Sequence, residues 1–180
     1  MTKSAVAGVM GLVFAALWSI SVAAGDDAKE AQALVAELGK SRISLLDGVR
    51  QASKEGAIPI SAKFELEDGK LSLSVYTAQK GLAVDPEKNV LQELSGSPEG
   101  EKWSPSVAVF KDVQHVARSS EQLTLMALGK TSLTGVIARV QKAHPGGKVF
   151  SVTPVIRNHR PAAEVLVAEK GKVAKVLQPL

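Results

Sequence analysis

Cysteine is absent from the chain, so neither disulfide staples nor thiolate metal sites can hold it together, and its fold must rest on an apolar core. Aromatic residues are almost as scarce, at 4% of the total. Beyond residue 24 they are Phe64, Tyr76, Trp103, Phe110 and Phe150, which leaves Val, Leu, Ile and Ala to fill that core. A dominant sign of charge is also missing: 22 Lys and Arg stand against 18 Asp and Glu, a net charge of +4. So mild an excess does not argue for a nucleic-acid partner. Outside residues 1–24 no run is apolar enough to span a bilayer.

Those first 24 residues have the layout of an export signal. Lys3 supplies a short positive start, Ala5 to Ile20 is apolar, and Ser21-Val22-Ala23-Ala24 places small residues where a signal peptidase needs them. Cleavage after Ala24 is expected, with a mature start at Gly25-Asp26-Asp27. The competing reading is an uncleaved anchor, since Ala5 to Ala24 is nearly long enough to cross a membrane. Without cysteine, lipid attachment of the lipoprotein kind is excluded. The expected location is periplasmic or secreted, with no stable membrane insertion once the signal is gone.

The remainder reads as one paragraph written twice. Leu38-Gly39-Lys40-Ser41 recurs as Leu128-Gly129-Lys130-Thr131, and each is followed by a hydroxyl residue suited to capping a helix, Ser44 and Thr134. Leu45-Leu46, Val49 and Ala52 then form one apolar stripe, and Val136-Ile137, Val140 and Ala143 form its counterpart one residue further along. Gly56 and Pro145-Gly146-Gly147 stop the two helices.

Strands are expected after both stops. Ile58, Ile60, Phe64 and Leu66 alternate with polar residues, Glu67-Asp68-Gly69-Lys70 turns, and Leu71, Leu73 and Val75 return. Lys80-Gly81 leads into Leu82-Ala83-Val84, and Asp85-Pro86-Glu87-Lys88-Asn89 into Val90-Leu91. The second copy runs Val149 to Ile156, turns at Asn158-His159-Arg160-Pro161, continues through Glu164 to Val167, turns at Lys170-Gly171 and ends with Val173 to Leu177. The fold class is therefore α+β, two repeats of a helix packed on a three- to four-stranded antiparallel sheet. The division is a signal peptide at 1–24, an N-terminal helix at 25–40, a first repeat at 41–95, a linker and bridging helix at 96–128, and a second repeat at 129–180. The linker is Ser95 to Lys102. Val109, Phe110, Val113, Val116 and Ala117 carry helical spacing into the bridging helix.

These residues resemble the PepSY domain, a small cystatin-like module shared by propeptides of secreted metallopeptidases and many envelope proteins. His144-Pro145-Gly146-Gly147-Lys148-Val149-Phe150-Ser151-Val152 is similar to the family's helix end and first strand. Ala163 to Val176 resembles its central hairpin, and Val84-Asp85-Pro86-Glu87-Lys88-Asn89-Val90-Leu91 its closing turn. Asn89 stands where glycine is usual, and asparagine also visits the left-handed region. The second copy ends at Gln178-Pro179-Leu180 without the Asp-Pro turn and final strand. The resemblance implies no catalysis; it implies a binding or inhibitory module acting on a peptidase or another envelope component.

Chemistry is hard to find otherwise. Gly39-Lys40-Ser41 and Gly129-Lys130-Thr131 invite a phosphate-loop reading, but Leu34 and Thr124 occupy the positions where that motif needs its first glycine. No Gly-x-Ser-x-Gly occurs, and His115, His144 and His159 are too far apart in sequence to share a helix face or a turn. Glu65 and Glu67 lie on one side of a strand beside Asp68, the pattern of a solvated strand face more than of a cation site. Lys170, Lys172 and Lys175 read as guards of a sheet edge, with contact to an acidic partner as the functional alternative. No catalytic, cofactor-binding or metal residues are assigned, and no cofactor is expected. The expectation is an exported, non-enzymatic module with a protein partner, a peptidase being the implied class. Two alternatives stand beside it: a structural or self-associating envelope protein, and an enzyme on the same scaffold, which fold alone does not exclude.

Overall fold

A computed structural model describes residues 26–53 and 56–180. The export signal assigned to residues 1–24 lies outside them. Among the described residues no helix is long and apolar enough to cross a membrane.

Helix α1 (Asp26–Glu37) runs into a 3-10 turn at Leu38–Lys40. Helix α2 (Leu45–Ala52) begins where Ser44, in extended backbone, accepts a hydrogen bond on Oγ from the Asp47 N–H at 3.1 Å. Leu45, Gly48, Val49 and Ala52 are its buried positions, one stripe of a 3.6-residue period. Helix α4 (Leu133–Ala143) is built the same way, with Leu133, Val136, Ile137 and Val140 buried. Its cap is Ser132, whose Oγ accepts from the Gly135 N–H at 3.2 Å. Thr134, expected as the cap, is instead inside the first turn, its hydroxyl 2.9 Å from that of Ser132. Two hydroxyls compete at this start, and the upstream one has the extended backbone a cap requires. With Ser132 in that role, the extra residue separating the two helix sequences disappears.

Strands β1 (Ile58–Glu67), β2 (Lys70–Ala78), β3 (Leu91–Gly96), β4 (Ser106–Val109), β5 (Lys148–Arg157), β6 (Arg160–Glu169) and β7 (Lys172–Pro179) form one antiparallel sheet in the order β4-β3-β2-β1-β5-β6-β7. The first hairpin turns through Asp68 and Gly69, both at positive φ, and the β5–β6 hairpin through Asn158 and His159, also both at positive φ. The β1–β2 ladder is interrupted by a bulge between Pro59 and Ser61, the β5–β6 ladder by one between Val149 and Ser151. The pairs Ser61↔Tyr76, Ala62↔Val75 and Phe64↔Leu73 have counterparts of identical spacing in Ser151↔Leu166, Val152↔Val165 and Pro154↔Ala163. The two hairpins meet at the centre through Ala62↔Val152 and Lys63↔Ser151.

Alternation along the strands gives the sheet two different faces. Ala62, Phe64, Leu73, Val75, Val152 and Val165 share the face on which α2 lies, since Gly48 touches Leu73. Helix α4 packs beside α2 and against β1, β5 and β6. Each fully buried aliphatic side chain here contributes about 1.5–3 kcal/mol of transfer free energy. Helix α3 (Val113–Leu128) covers part of the other face, where Ser61, Lys63 and Tyr76 point.

Several expectations need correction. Leu82-Ala83-Val84 is a loop, and the third strand is β3, which takes in Ser95 and Gly96 from the expected linker. The rest of that linker is anchored: the Pro98 carbonyl accepts from the Arg42 and Ile43 N–H groups, and buried Trp103 donates from Nε1 to the Gly96 carbonyl at 3.2 Å. Val109 belongs to β4, not to a helix, and α3 starts only after Asp112. Asn89 has φ −84°, so no left-handed residue is needed there. Its side chain instead ties the loop, donating from Nδ2 to the Gly81 carbonyl at 2.8 Å and accepting on Oδ1 from the Lys80 and Val90 N–H groups. The last expected strand, Val173 to Leu177, is present as β7, which follows a two-residue turn at Lys170–Gly171 and pairs with β6 as β3 pairs with β2.

Candidate functional site

Asp112 starts α3 by accepting on its side chain from the His115 N–H at 3.0 Å. From there the helix crosses the Ser61–Lys63–Tyr76 face, touching β3, β1, β5 and β6. Leu123 and Met126 join the core, and Gln122, between Ser119 and Leu123, is held down by a polar contact. Its Oε1 accepts from Ser61 Oγ at 2.8 Å, and only 6% of Gln122 is exposed. The bulge at Ile60 helps set the aim of Ser61, because an extra residue re-phases the alternation of β1.

Between α3 and strands β1, β2 and β5 lies a cleft of about 440 Å³. Its polar lining includes Ser61, Lys63, Tyr76, Arg118, Glu121 and Gln122. Tyr76, the sole tyrosine, stacks on Phe110 with ring centres 5.8 Å apart, and Phe110 stacks on His115 at 5.0 Å. Lys63 Nζ stands 5.9 Å from the Tyr76 ring centre and pairs with Glu65 at 2.5 Å. Burial, with the negative charges of Glu93 and Glu65 next in weight, pushes the Tyr76 phenol well above the ordinary tyrosine range; Arg118 opposes them. Asp112 titrates below the usual carboxylate range, held there first by the His115 backbone N–H and then by the His115 ring.

Among the described residues lining the cleft, serine and histidine are not hydrogen-bonded to one another. Ser61 donates its hydroxyl hydrogen bond to Gln122 Oε1, not to a histidine, and the His115 Nδ1 faces Asp112 at 2.8 Å. The other histidines are elsewhere: His144 Nδ1 meets Glu169 Oε2 at 3.2 Å, and His159 sits in the β5–β6 turn at φ 60°. The acidic group does not converge either, since Glu65 pairs with Lys63, Glu67 stands opposite Lys70 and Asp68 occupies the turn. Among the described residues no group of three or more His, Asp and Glu is placed to hold a metal ion. Gly39-Lys40-Ser41 closes a 3-10 turn, and Gly129-Lys130-Thr131 links α3 to α4 beside a second, mostly apolar cavity of about 370 Å³. Neither follows a strand as a phosphate loop does.

The basic cluster lies on the outer strand. Lys170 is in the turn, Lys172 stands opposite Glu169 at the start of β7, and Lys175 Nζ pairs with Glu164 at 3.0 Å. The opposite edge differs. All four residues of β4 are exposed, with Val107 at 59% and Val109 at 50%, and none is charged or proline. Sequence reasoning missed both β4 and the cleft. Gln122, polar at a core-facing position one helical turn ahead of Met126, was the available signal for the latter. No protein-family model, curated protein or solved structure matches the chain.

Proposed function

We propose that the chain is an exported, non-enzymatic binding module of two divergent PepSY-like repeats, and that it modulates a secreted or envelope peptidase by taking an extended partner segment onto the outer edge of β4. The repeat reading is supported by details that composition does not force. Serine caps with identical buried spacing open α2 and α4, bulges fall at matching places in β1 and β5, and the ladder registers of the two hairpins correspond. The location rests on the signal-like residues 1–24.

One observation carries the binding reading: the two edges of the sheet are treated differently. Natural edge strands are guarded with lysine, proline or brevity because their free N–H and C=O groups recruit other strands. β7 has Lys172, Lys175 and Pro179, whereas β4, guarded by its four-residue length alone among the described residues, presents Ser106-Val107-Ala108-Val109 with neither lysine nor proline. An open edge with alternate apolar side chains is what strand addition uses, the backbone giving affinity and the side chains selectivity. Cross-linking the tagged chain in its native envelope tests this reading. A specific co-exported protein, with a peptidase as the expected class, should be recovered; recovery of the chain alone would count against it.

The same bare edge favours a second reading, self-association by antiparallel β4–β4 pairing about a two-fold axis. Light scattering at high concentration separates the two, because strictly monomeric chain removes the second.

A further inference from the structure

We propose that the cleft between α3 and the sheet binds a carboxylate carried on a short apolar body, the chemistry of a peptide's free C-terminus or of a small organic acid. This goes beyond strand addition at β4 and does not depend on it. Two donors along this cleft are left without a partner among the described residues. Gln122 is 6% exposed and spends its Oε1 on Ser61, yet among the described residues its amide N–H2 group has no acceptor. Its nitrogen is not among the fully buried unpaired atoms, so this donor stays open to an acceptor that enters the cleft. Arg118 lines the same cleft and, among the described residues, makes no ion pair. A guanidinium fork and an amide N–H2 converging on one space suit the two oxygens of a carboxylate.

The remaining lining fits the rest of such a ligand. Val155 and the Tyr76 ring are apolar, and Thr153 adds a hydroxyl. The volume falls within the range of about 300–1,000 Å³ typical of small-ligand sites. With Lys63 paired to Glu65, the cation left for a ligand is Arg118, and Glu121 lies one turn from it without bridging to it. Glu121 weakens anion binding and so gives a variant of opposite sign.

Calorimetric titration of the full chain with N-acetyl-trileucine as the free acid, with its C-terminal amide and with benzoate tests the proposal. At least one acid should bind, and the amide should bind at least about tenfold more weakly than the peptide acid or not at all. Preference for the peptide acid assigns the site to peptide ends, and binding of benzoate alone to small acids. Arg118→Gln, at an exposed position with no ion pair to break, should weaken acid binding by at least about tenfold, and Glu121→Gln should tighten it. Equal binding of acid and amide, unchanged binding by Arg118→Gln, or no binding of either acid at millimolar concentration overturns the proposal. Capture of a protein through β4 is read separately, so a chain that captures its partner but ignores both acids loses this site alone.

Discussion

Leu73 of β2 rests against the bare α-carbon of Gly48 in α2: a Cβ built on the glycine would stand 2.5 Å from Leu73 Cδ2. The contact brings α2 close to the sheet at a point where Leu73 is wholly buried. The corresponding position of α4 is Val136, also wholly buried, so the second helix meets its strands through a side chain where the first does so through backbone.

Gly48→Ala should therefore destabilise the chain despite the better helix propensity of alanine. Overpacking costs about 1–3 kcal/mol, and the propensity gain offsets about 1 kcal/mol of it, so a net loss of about 1 kcal/mol is expected in urea unfolding. Gly39→Ala, where an added Cβ meets nothing within 4 Å, should stay within about 0.5 kcal/mol of the parent.

The helix caps test the corrected register. Ser44→Ala and Ser132→Ala should each cost about 1 kcal/mol, because each leaves an N-terminal N–H without its acceptor. Thr134→Ala should cost less than about 0.5 kcal/mol. A larger loss at Thr134 than at Ser132 would restore the cap expected from sequence.

How much of this was legible follows from which contacts are local. Ser44, the stripe of α2 and the Asp68–Gly69 turn are set by residues a few positions apart, and all were readable. Val107 and Val109 alternate as a strand should, but Val109, Phe110, Val113 and Val116 also fit a helix, and pairing with β3 decided between them. The cleft was not readable because Ser61, Tyr76, Gln122 and Thr153 come from four separate elements. They are brought together by strand order, by a bulge and by the face α3 chooses, none of which one segment encodes.

The β5–β6 turn places two side-chain-bearing residues, Asn158 at φ 49° and His159 at φ 60°, in the left-handed region. Asparagine tolerates it and histidine does so at a cost. His159→Gly creates the preferred Asn-Gly turn and should raise stability by about 0.5–1 kcal/mol. A loss of stability would mean that the histidine side chain contributes to the fold.

Tyr76 can be followed without interference, being the sole tyrosine. Its phenolate absorbance should rise only above the ordinary midpoint near pH 10, because burial and then the neighbouring Glu93 and Glu65 disfavour ionisation. The unfolded chain gives up that proton first, so this stabilisation is intact below about pH 10 and declines as pH rises above it. A midpoint at or below the ordinary value, with circular dichroism showing intact fold, would contradict the burial of this ring.

The central claim is that β4 is a docking edge, and guarding it as β7 is guarded tests that most directly. Val107→Lys with Val109→Lys changes two exposed side chains, so the fold should persist. Cross-linked partner recovered from the native envelope should fall at least about tenfold relative to the parent chain. Undiminished recovery with both lysines in place would contradict the account.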